Sequence, residues 1–373
     1  MSKLRIDVDL DKIRYNTRFL VDHLRPRGIT VTGVTKAVCG HPEIANAMLE
    51  GGATGLADAR ISNIMRMRDA GISCSISLIR TPMLSQVAQV VDNCNVSFNT
   101  EMDIIASLAV SALGKNITHS IILMVEMGDM RDGILPEHLE STVSQILRME
   151  GISLKGIGAN FACLGHVAPS AGAMELLSSL AADTELASGP ALETVSGGGS
   201  ASLPWALGKG ATGKINNLRL GEAILLGTDP VSGYAIDGLY TDVFTLWAEV
   251  IETKTKSNPN PLQMNYPIPS MQCVTLDSPS NTRSILAIGL QDTDAAGLIF
   301  PAGVTFVGAT SDHIVVENTS CLLRPGGEVK LKLNYSALSR GMAAPDVAKV
   351  FHGDGALVDC TAANTDRPYS KRK

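Results

Sequence analysis

Through residue 227 the hydrophobic pattern switches repeatedly between two periods. Short apolar or β-branched runs read as strands, and apolar positions three and four apart read as helices. The first helix starts at Leu10, with Ile13, Thr17, Leu20 and Leu24 on one face. The run Ile29–Thr35 predicts a strand, and Pro42 suits the first turn of the helix after it. Strand–helix pairs follow at Gly55–Asp58 with Arg60–Ala70, and at Ser73–Leu78 with a helix opened by Thr81 and Pro82. Asn95–Phe98 precedes a helix from Thr100, where Thr100 and Asp103 have capping-box spacing. Four more pairs join Ser120–Glu126 to a helix from Pro136 and Ser153–Ala159 to one from Pro169, then Leu192–Ser196 to one near Ser200 and Ile215–Leu218 to one from Gly221.

Eight strictly alternating units in about 230 residues fit a TIM-type (β/α)8 barrel. A doubly wound sheet is the second choice, since it rarely needs such strict alternation. After Ala235 the pattern becomes strand-like, at Phe244–Glu252, Ser284–Gly289, Val304–Gly308, His313–Val316 and Val329–Leu333. The predicted fold is therefore α/β: a barrel over residues 1–235, then a mostly β domain over 236–373 with a frayed polar tail from Thr365.

Barrel active sites lie at the C-terminal ends of the strands. Lys36, Asp58, Arg131, Asn160, Ser196–Ser200 and Arg219 all fall there. Ser196–Ser202 carries three consecutive glycines between a strand and a helix, so its backbone can approach a phosphate at a helix N-terminus. A flexible turn is the plain alternative. Arg219-Leu220-Gly221-Glu222 forms the corresponding turn one unit later, and the last two loops of a barrel commonly share a phosphate site. Gly208–Lys214 nearly spells a P-loop, but Ile215 replaces the hydroxyl residue and a strand follows, so it reads as a turn. A strand-end lysine with a phosphate cradle and nearby arginines points to pyridoxal 5′-phosphate, an aldehyde cofactor held by lysine.

Composition narrows the picture further. Hydrophobic residues make up 45% and charged residues 18%, which excludes a disordered chain. A net charge of −6, with scattered Lys and Arg, gives no reason to expect nucleic acid or an anionic membrane as partner. No window reaches the ~20 apolar residues of a membrane span, and the N-terminus lacks a signal peptide's apolar core. Seven cysteines without a C-x-x-C pair read as reduced thiols of a cytoplasmic protein. Neither the histidines nor the cysteines have metal-site spacing, so no metal is expected.

These motifs resemble the alanine racemase superfamily, the fold-type III pyridoxal phosphate barrels, and most closely its ornithine racemase-like branch. The segments that carry the resemblance are Ile6–Asn16, Val34–Ala37, Met127–Gly133, Asn217–Gly227, Ala287–Asp294, Val307–His313 and Leu333–Leu338. It implies Lys36 as the Schiff-base lysine and Arg131 near the cofactor ring hydroxyl. It further implies Arg219 at the pyridine nitrogen, supported by Asn160, and phosphate binding by the amides that follow, at Gly221 and Glu222; Ser196, Gly198 and Ser200 are the phosphate candidates of the glycine-rich turn itself. It also implies a homodimer in which the β domain of one copy completes the partner's site.

The chain departs from alanine racemases in several places. Cys39-Gly40-His41 stands where alanine racemases carry a phosphate-binding tyrosine, and Ala344-Pro345-Asp346-Val347 replaces the Ser-Pro-Tyr-Val of the ornithine racemase-like branch. The stretch Lys256–Leu262 also differs from that branch.

The resulting expectation is a racemase acting on ornithine, lysine or a related amino acid. Lys36 serves one face of the α-carbon. Tyr335 leads the candidates for the other face, followed by Tyr266, Cys273 and Asp346. Ser311 and Asp312 are candidates for orienting the substrate carboxylate. Asp292 and Asp294 are candidates for a distal ammonium, with a solvated acidic turn as the plain alternative. The competing functions are an eliminase, aldolase or decarboxylase working on one face, and a non-catalytic cofactor carrier.

Overall fold

A computed structural model describes residues 4–189, 191–255, 282–318, 323–353 and 358–359. The chain divides into two compact units, one being Leu10–Thr241 and the other the N-terminal strand together with the chain from Asp242 onward.

The N-terminal strand is β1 (Arg5–Asp9). The first unit then opens with α1 (Leu10–Leu24), which buries Ile13, Thr17, Leu20 and Leu24 as its spacing predicts. Eight parallel strands follow: β2 (Thr30–Val34), β3 (Gly55–Asp58), β4 (Ile76–Leu78), β5 (Val96–Asn99), β6 (His119–Val125), β7 (Ile152–Ala159), β8 (Thr194–Ser196) and β9 (Asn217–Leu220). They close in sequence order, with β9 pairing back onto β2. The helices between them are α2 (Pro42–Glu50), α3 (Ile61–Asp69), α4 (Val87–Asn93), α5 (Met102–Leu113), α6 (Leu139–Ile146), α7 (Ala171–Ser188), α8 (Leu203–Ala206) and α9 (Glu222–Leu226). Gly33 shows how tightly this layer packs, because a Cβ there would come within 2.9 Å of Met48 Sδ on α2.

The predicted capping box at Thr100 does not form. Helix α5 starts two residues later, at a Glu101 cap position without a side-chain bond, and Thr100 Oγ1 instead lies 3.3 Å from Thr81 Oγ1 in the preceding loop. The near-P-loop at 208–214 is a turn, as expected.

Inside the barrel, polar side chains bond one another beside a buried apolar cluster of Val96, Phe98, Ile122 and Met124 from β5 and β6. Ser196 Oγ donates to Asn217 Oδ1 at 2.8 Å, and Asn217 Nδ2 donates to Thr32 Oγ1 at 3.0 Å. Barrel interiors are usually filled by bulky branched side chains. Here a cavity of about 140 Å³ remains, lined by the polar Thr32, Ser77, Thr194, Asn217 and Arg219 and by the apolar Leu56, Val96, Phe98 and Ile122.

The second unit continues with β10 (Phe244–Thr255), β11 (Thr282–Leu286), β12 (Leu298–Ile299), β13 (Val304–Ala309), β14 (Ile314–Asn318), β15 (Glu328–Leu333), β16 (Ala348–His352) and β17 (Val358–Asp359). Burial alternates strictly along β15, in line with a half-buried strand. The helix α10 (Tyr335–Ala343), capped by Asn334, was not among the predicted elements. The expected 1–235 barrel also differs at its start. Strand β1 pairs antiparallel with β10 and parallel with β16, so it belongs to the second sheet. Among the described residues no helix is long and apolar enough to cross a membrane.

Candidate active site at the barrel mouth

Lys36 stands one residue beyond the end of β2, at the start of a 3-10 turn. Its base is braced by Thr35, which is fully buried. Thr35 N donates to Ala57 O at 2.9 Å, and Thr35 Oγ1 donates to Asp58 Oδ2 at 2.8 Å. Asp58 also accepts from Arg60 N at 2.9 Å and Asn63 Nδ2 at 3.0 Å. Burial raises the Asp58 carboxyl pKa, and these bonds pull it back toward the charged form. The carboxylate thus ties the β2 loop to the β3 loop and holds Lys36 in register.

The Lys36 side chain is reached by solvent, yet protein crowds its ammonium. Desolvation pushes its pKa below the ordinary lysine range, and the Arg131 and Arg219 cations push the same way. Cys163 and Asp58 oppose the shift. A lysine so placed gives up its proton more readily than a solvated one.

Arg219 lies on β9 and is buried. Its Nη2 donates to Ala159 O at 2.5 Å and to Asn160 Oδ1 at 3.2 Å, and its guanidinium stands 4.9 Å from the centre of the Phe98 ring. Burial lowers its pKa to about 10, which leaves it charged at neutral pH. Its Nε is buried without a hydrogen-bond partner, an exception to the usual satisfaction of buried polar groups.

The loops after β8 and β9 meet closely. Ser200 Oγ accepts from Ala223 N at 3.1 Å, joining the two helix starts. Amides in the first turn of a helix have no intrahelical partner, and Ser200 Oγ answers one of them, Ala223 N. Gly198 has φ +97, and a Cβ there would meet Ser202 Oγ at 2.9 Å and Phe161 at 3.0 Å. Only glycine holds this turn without strain. Ser196, by contrast, turns inward to Asn217 and spends its hydroxyl in the barrel interior. Glu222 is half-buried, and its carboxyl is pushed up to about 7 by burial and by the charge of Asp229, with Lys36 pulling the other way.

Left-handed backbone at non-glycine residues marks three of the mouth loops: Cys39 (φ 54), Met130 (φ 55) and Ala162 (φ 60). Such conformations cost energy and concentrate at functional sites. Each lies within three residues of Lys36, Arg131 or Asn160.

Residues 8–229 match the family model described as alanine racemase, N-terminal domain. The chain belongs to the alanine racemase family. It is 34% identical over 352 residues to a lysine racemase from Thermotoga maritima, covering 93% of this chain and 98% of that protein. It is 32% identical over 352 residues to an ornithine racemase from Acetoanaerobium sticklandii, covering 92% and 98%. Its fold is similar to that of alanine racemase from Bacillus anthracis, with a TM-score of 0.73, 17% identity and coverage of 96% and 97%. D-threonine aldolase from Filomicrobium marinum gives a TM-score of 0.73 at 16% identity, covering 95% and 92%. At those identities the likeness concerns the fold alone.

Outside the barrel, this family member places its other predicted site residues differently. Asp292 Oδ2 accepts from Gly289 N at 2.9 Å, and Asp294 Oδ1 accepts from Ala296 N at 3.3 Å, so both close short turns. Asp312 accepts from Ser311 Oγ at 3.1 Å and lies 3.2 Å from His313 Nδ1. The Ser311 bond holds its carboxyl below the usual range. The 289–292 and 310–313 turns abut, since Leu290 N donates to Thr310 O and Gln291 N to Ser311 O, both at 2.9 Å. Tyr335 is half-buried at the start of α10, and Asp346 is exposed in the turn after it. Tyr266, Cys273 and the 256–262 stretch lie outside the described residues.

Sequence reasoning missed Asp132 and Asp129. Asp132 Oδ1 accepts from Arg131 Nε at 2.9 Å and from Asn160 Nδ2 at 3.0 Å. Asp129 is buried and accepts from Cys163 N at 2.7 Å and Leu164 N at 3.0 Å, pinning the loop after β7 to the loop after β6. Their only sequence signal is adjacency to Arg131, which equally suits a solvated acidic turn. Among the described residues no three His, Cys, Asp or Glu side chains are grouped to hold a metal ion.

Proposed function

We propose that this protein is a pyridoxal phosphate-dependent amino-acid racemase acting on a diamino acid such as lysine or ornithine, as a cytoplasmic homodimer. The observation that carries the reading is the meeting of Lys36, Arg131, Arg219 and the paired loops after β8 and β9 at one mouth. The two relatives similar along nearly their whole length are a lysine and an ornithine racemase.

The residues present suit the cofactor. Arg219 Nε is a buried donor without an acceptor, and a pyridine nitrogen supplies one. The Gly198 turn and the first-turn amides of Gly221–Glu222 suit a phosphate. Lys36 suits a covalent hold on an aldehyde, its proton already loosened by burial. When bound, pyridoxal phosphate supplies an electron sink for the carbanion formed on loss of the α-proton.

Lys36 accepts the α-proton on one face at Nζ. Arg131, held by Asp132, would meet the ring hydroxyl. Arg219, which stays charged at neutral pH, would face the ring nitrogen and favour its unprotonated form, giving a mild sink. Tyr335 is the first candidate for the opposite face, ahead of Tyr266, Cys273 and Asp346. Ser311, Asp312, Asp292 and Asp294 stay weaker candidates for substrate contact, because each is already bonded within its own turn.

The test is an absorbance scan of purified protein, borohydride reduction with peptide mapping, and incubation of L-lysine and L-ornithine in D₂O. The expected results are a visible band, cofactor fixed on Lys36, and D-enantiomer carrying α-deuterium. Absence of the band, or no exchange with any amino acid in a broad panel, overturns the reading. Sedimentation as a monomer overturns the homodimer.

A further inference from the structure

Arg219 is a buried cation with no carboxylate in direct contact among the described residues; its acceptors are a carbonyl and an amide oxygen. A buried charge needs a counter-charge, directly or by relay. The relay is traceable. Arg219 Nη2 donates to Asn160 Oδ1 at 3.2 Å. Asn160 Nδ2 donates onward to Asp132 Oδ1 at 3.0 Å. Arg131 Nε donates to that same oxygen at 2.9 Å.

The Asn160 amide can therefore face only one way. Its oxygen must meet a guanidinium and its nitrogen a carboxylate. A flip would set donor against donor and acceptor against acceptor, each a lost charge-assisted bond. One oxygen of Asp132 thus holds Arg131 directly and Arg219 through Asn160, while the buried Asp129 Oδ2 lies 3.6 Å from the same Arg131 Nε.

We infer that Asp132 is a positioning residue that couples Arg131 to Arg219 through Asn160 and balances the charge at both ends of the cofactor ring. This rests on the proposed function, which sets Arg131 at the ring hydroxyl and Arg219 at the ring nitrogen. The charged and titratable groups around Lys36 are Cys163, Arg131, Arg219, Asp58 and Glu222. Removing the Asp132 charge leaves the two arginines less balanced. The more positive mouth then disfavours a proton on the nitrogen that joins Lys36 to the cofactor. Adding a carboxylate at Asn160 does the reverse.

The test is a pH titration of the visible absorption band of the holoenzyme, normalised by the cofactor that borohydride fixes to protein. Asp132→Asn is expected to lower the midpoint by about one pH unit, and Asn160→Asp to raise it by a similar amount. Asp132→Glu restores the parent midpoint. Turnover of Asp132→Asn falls about tenfold in kcat with KM within about twofold, the pattern of an interaction made in the transition state. A midpoint within about 0.2 units of the parent at full occupancy, or shifts of the same sign in both variants, overturns the inference. If Asp132→Asn fails to fold, shown by loss of its melting transition, Asn160→Asp carries the test by its expected rise, and an unmoved or lowered midpoint in it overturns the inference. A parent protein with no band at all removes the proposed function as well, and that outcome is distinct from an unmoved midpoint.

Discussion

At the barrel mouth, Arg219 is held by acceptors 59 and 60 positions away in sequence; in the second unit, Asp312 is held by donors one and two positions away. The same contrast recurs at other candidate residues, although Asp132 also holds its neighbour Arg131. Asn160 and Asp132 are 28 apart, Thr35 and Asp58 are 23 apart, and Ser200 reaches Ala223 across 23. Asp292 and Asp294 are satisfied within three and two positions. Long-range bonds are made only when the barrel closes, so the mouth is a product of tertiary folding. The acidic turns of the second unit need only their own loops, and local side-chain-to-backbone bonds are what Asp provides in any turn. A side chain already spent on its own turn is a weaker candidate for substrate than one left with a buried, unanswered donor.

The largest expected effect is at Lys36. Lys36→Ala should lower racemisation by about 10²–10⁴-fold or more and abolish borohydride fixation of cofactor, read by chiral chromatography and peptide mapping. Activity near the parent level would remove the mouth from the comparison altogether.

Thr35→Val tests whether long-range bonds carry stability. It leaves buried Asp58 one donor short and should cost about 1–3 kcal/mol, measured by urea unfolding. A loss under about 0.5 kcal/mol would put the Thr35–Asp58 link on the same footing as a surface turn.

Glu222 sharpens the mouth's electrostatics. Its folded pKa of about 7 stands above the ordinary glutamate value, so the native state binds the extra proton between about pH 4.5 and 7. Stability from this group is therefore present below about pH 4.5 and is lost as pH rises toward 7 and beyond. Glu222→Gln should flatten the fall of melting temperature across that window in cofactor-free protein. An unchanged slope would mean that Glu222 is solvated after all.

The smallest effects are expected in the second unit. Asp312→Asn and Asp292→Asn should each change kcat/KM for lysine or ornithine by less than about threefold, since each group is occupied by its turn. A selective rise in KM of more than about tenfold for diamino acids, with none for alanine, would reverse the comparison and make Asp292 or Asp312 a reader of the distal ammonium.

Much of the barrel was legible because each unit repeats one signal. The β-branched run before Lys36, the prolines opening α2 and preceding α6, and the glycines at 197–199 each fix a local event. Asn160 beside Arg219 was legible through family resemblance, and the structure joins the two at 3.2 Å. Asp132 was not, because nothing local distinguishes an acid that relays between arginines from one that faces water. Ser196 was misjudged for a related reason. A strand residue at a glycine-rich turn can point up to the mouth or into the barrel, and only the register of β8 against β9 decides. Strand β1 was unreadable as part of the second sheet, since its partners β10 and β16 lie more than two hundred residues downstream.

That last feature bears on how the protein is made. Residues 5–9 leave the ribosome long before the strands they pair with, which begin at Phe244 and Ala348. At about 5–20 residues per second, β1 waits on the order of tens of seconds with its backbone edge unpaired while the barrel is still being synthesised. An exposed edge of this kind invites pairing with other nascent chains. Arg5, Asp7 and Asp9 place a charge at every second position of the waiting strand, which discourages such contacts until translation ends. Slow codons upstream of residue 244 should therefore lower the soluble yield of this chain, and shielding by a chaperone should restore it.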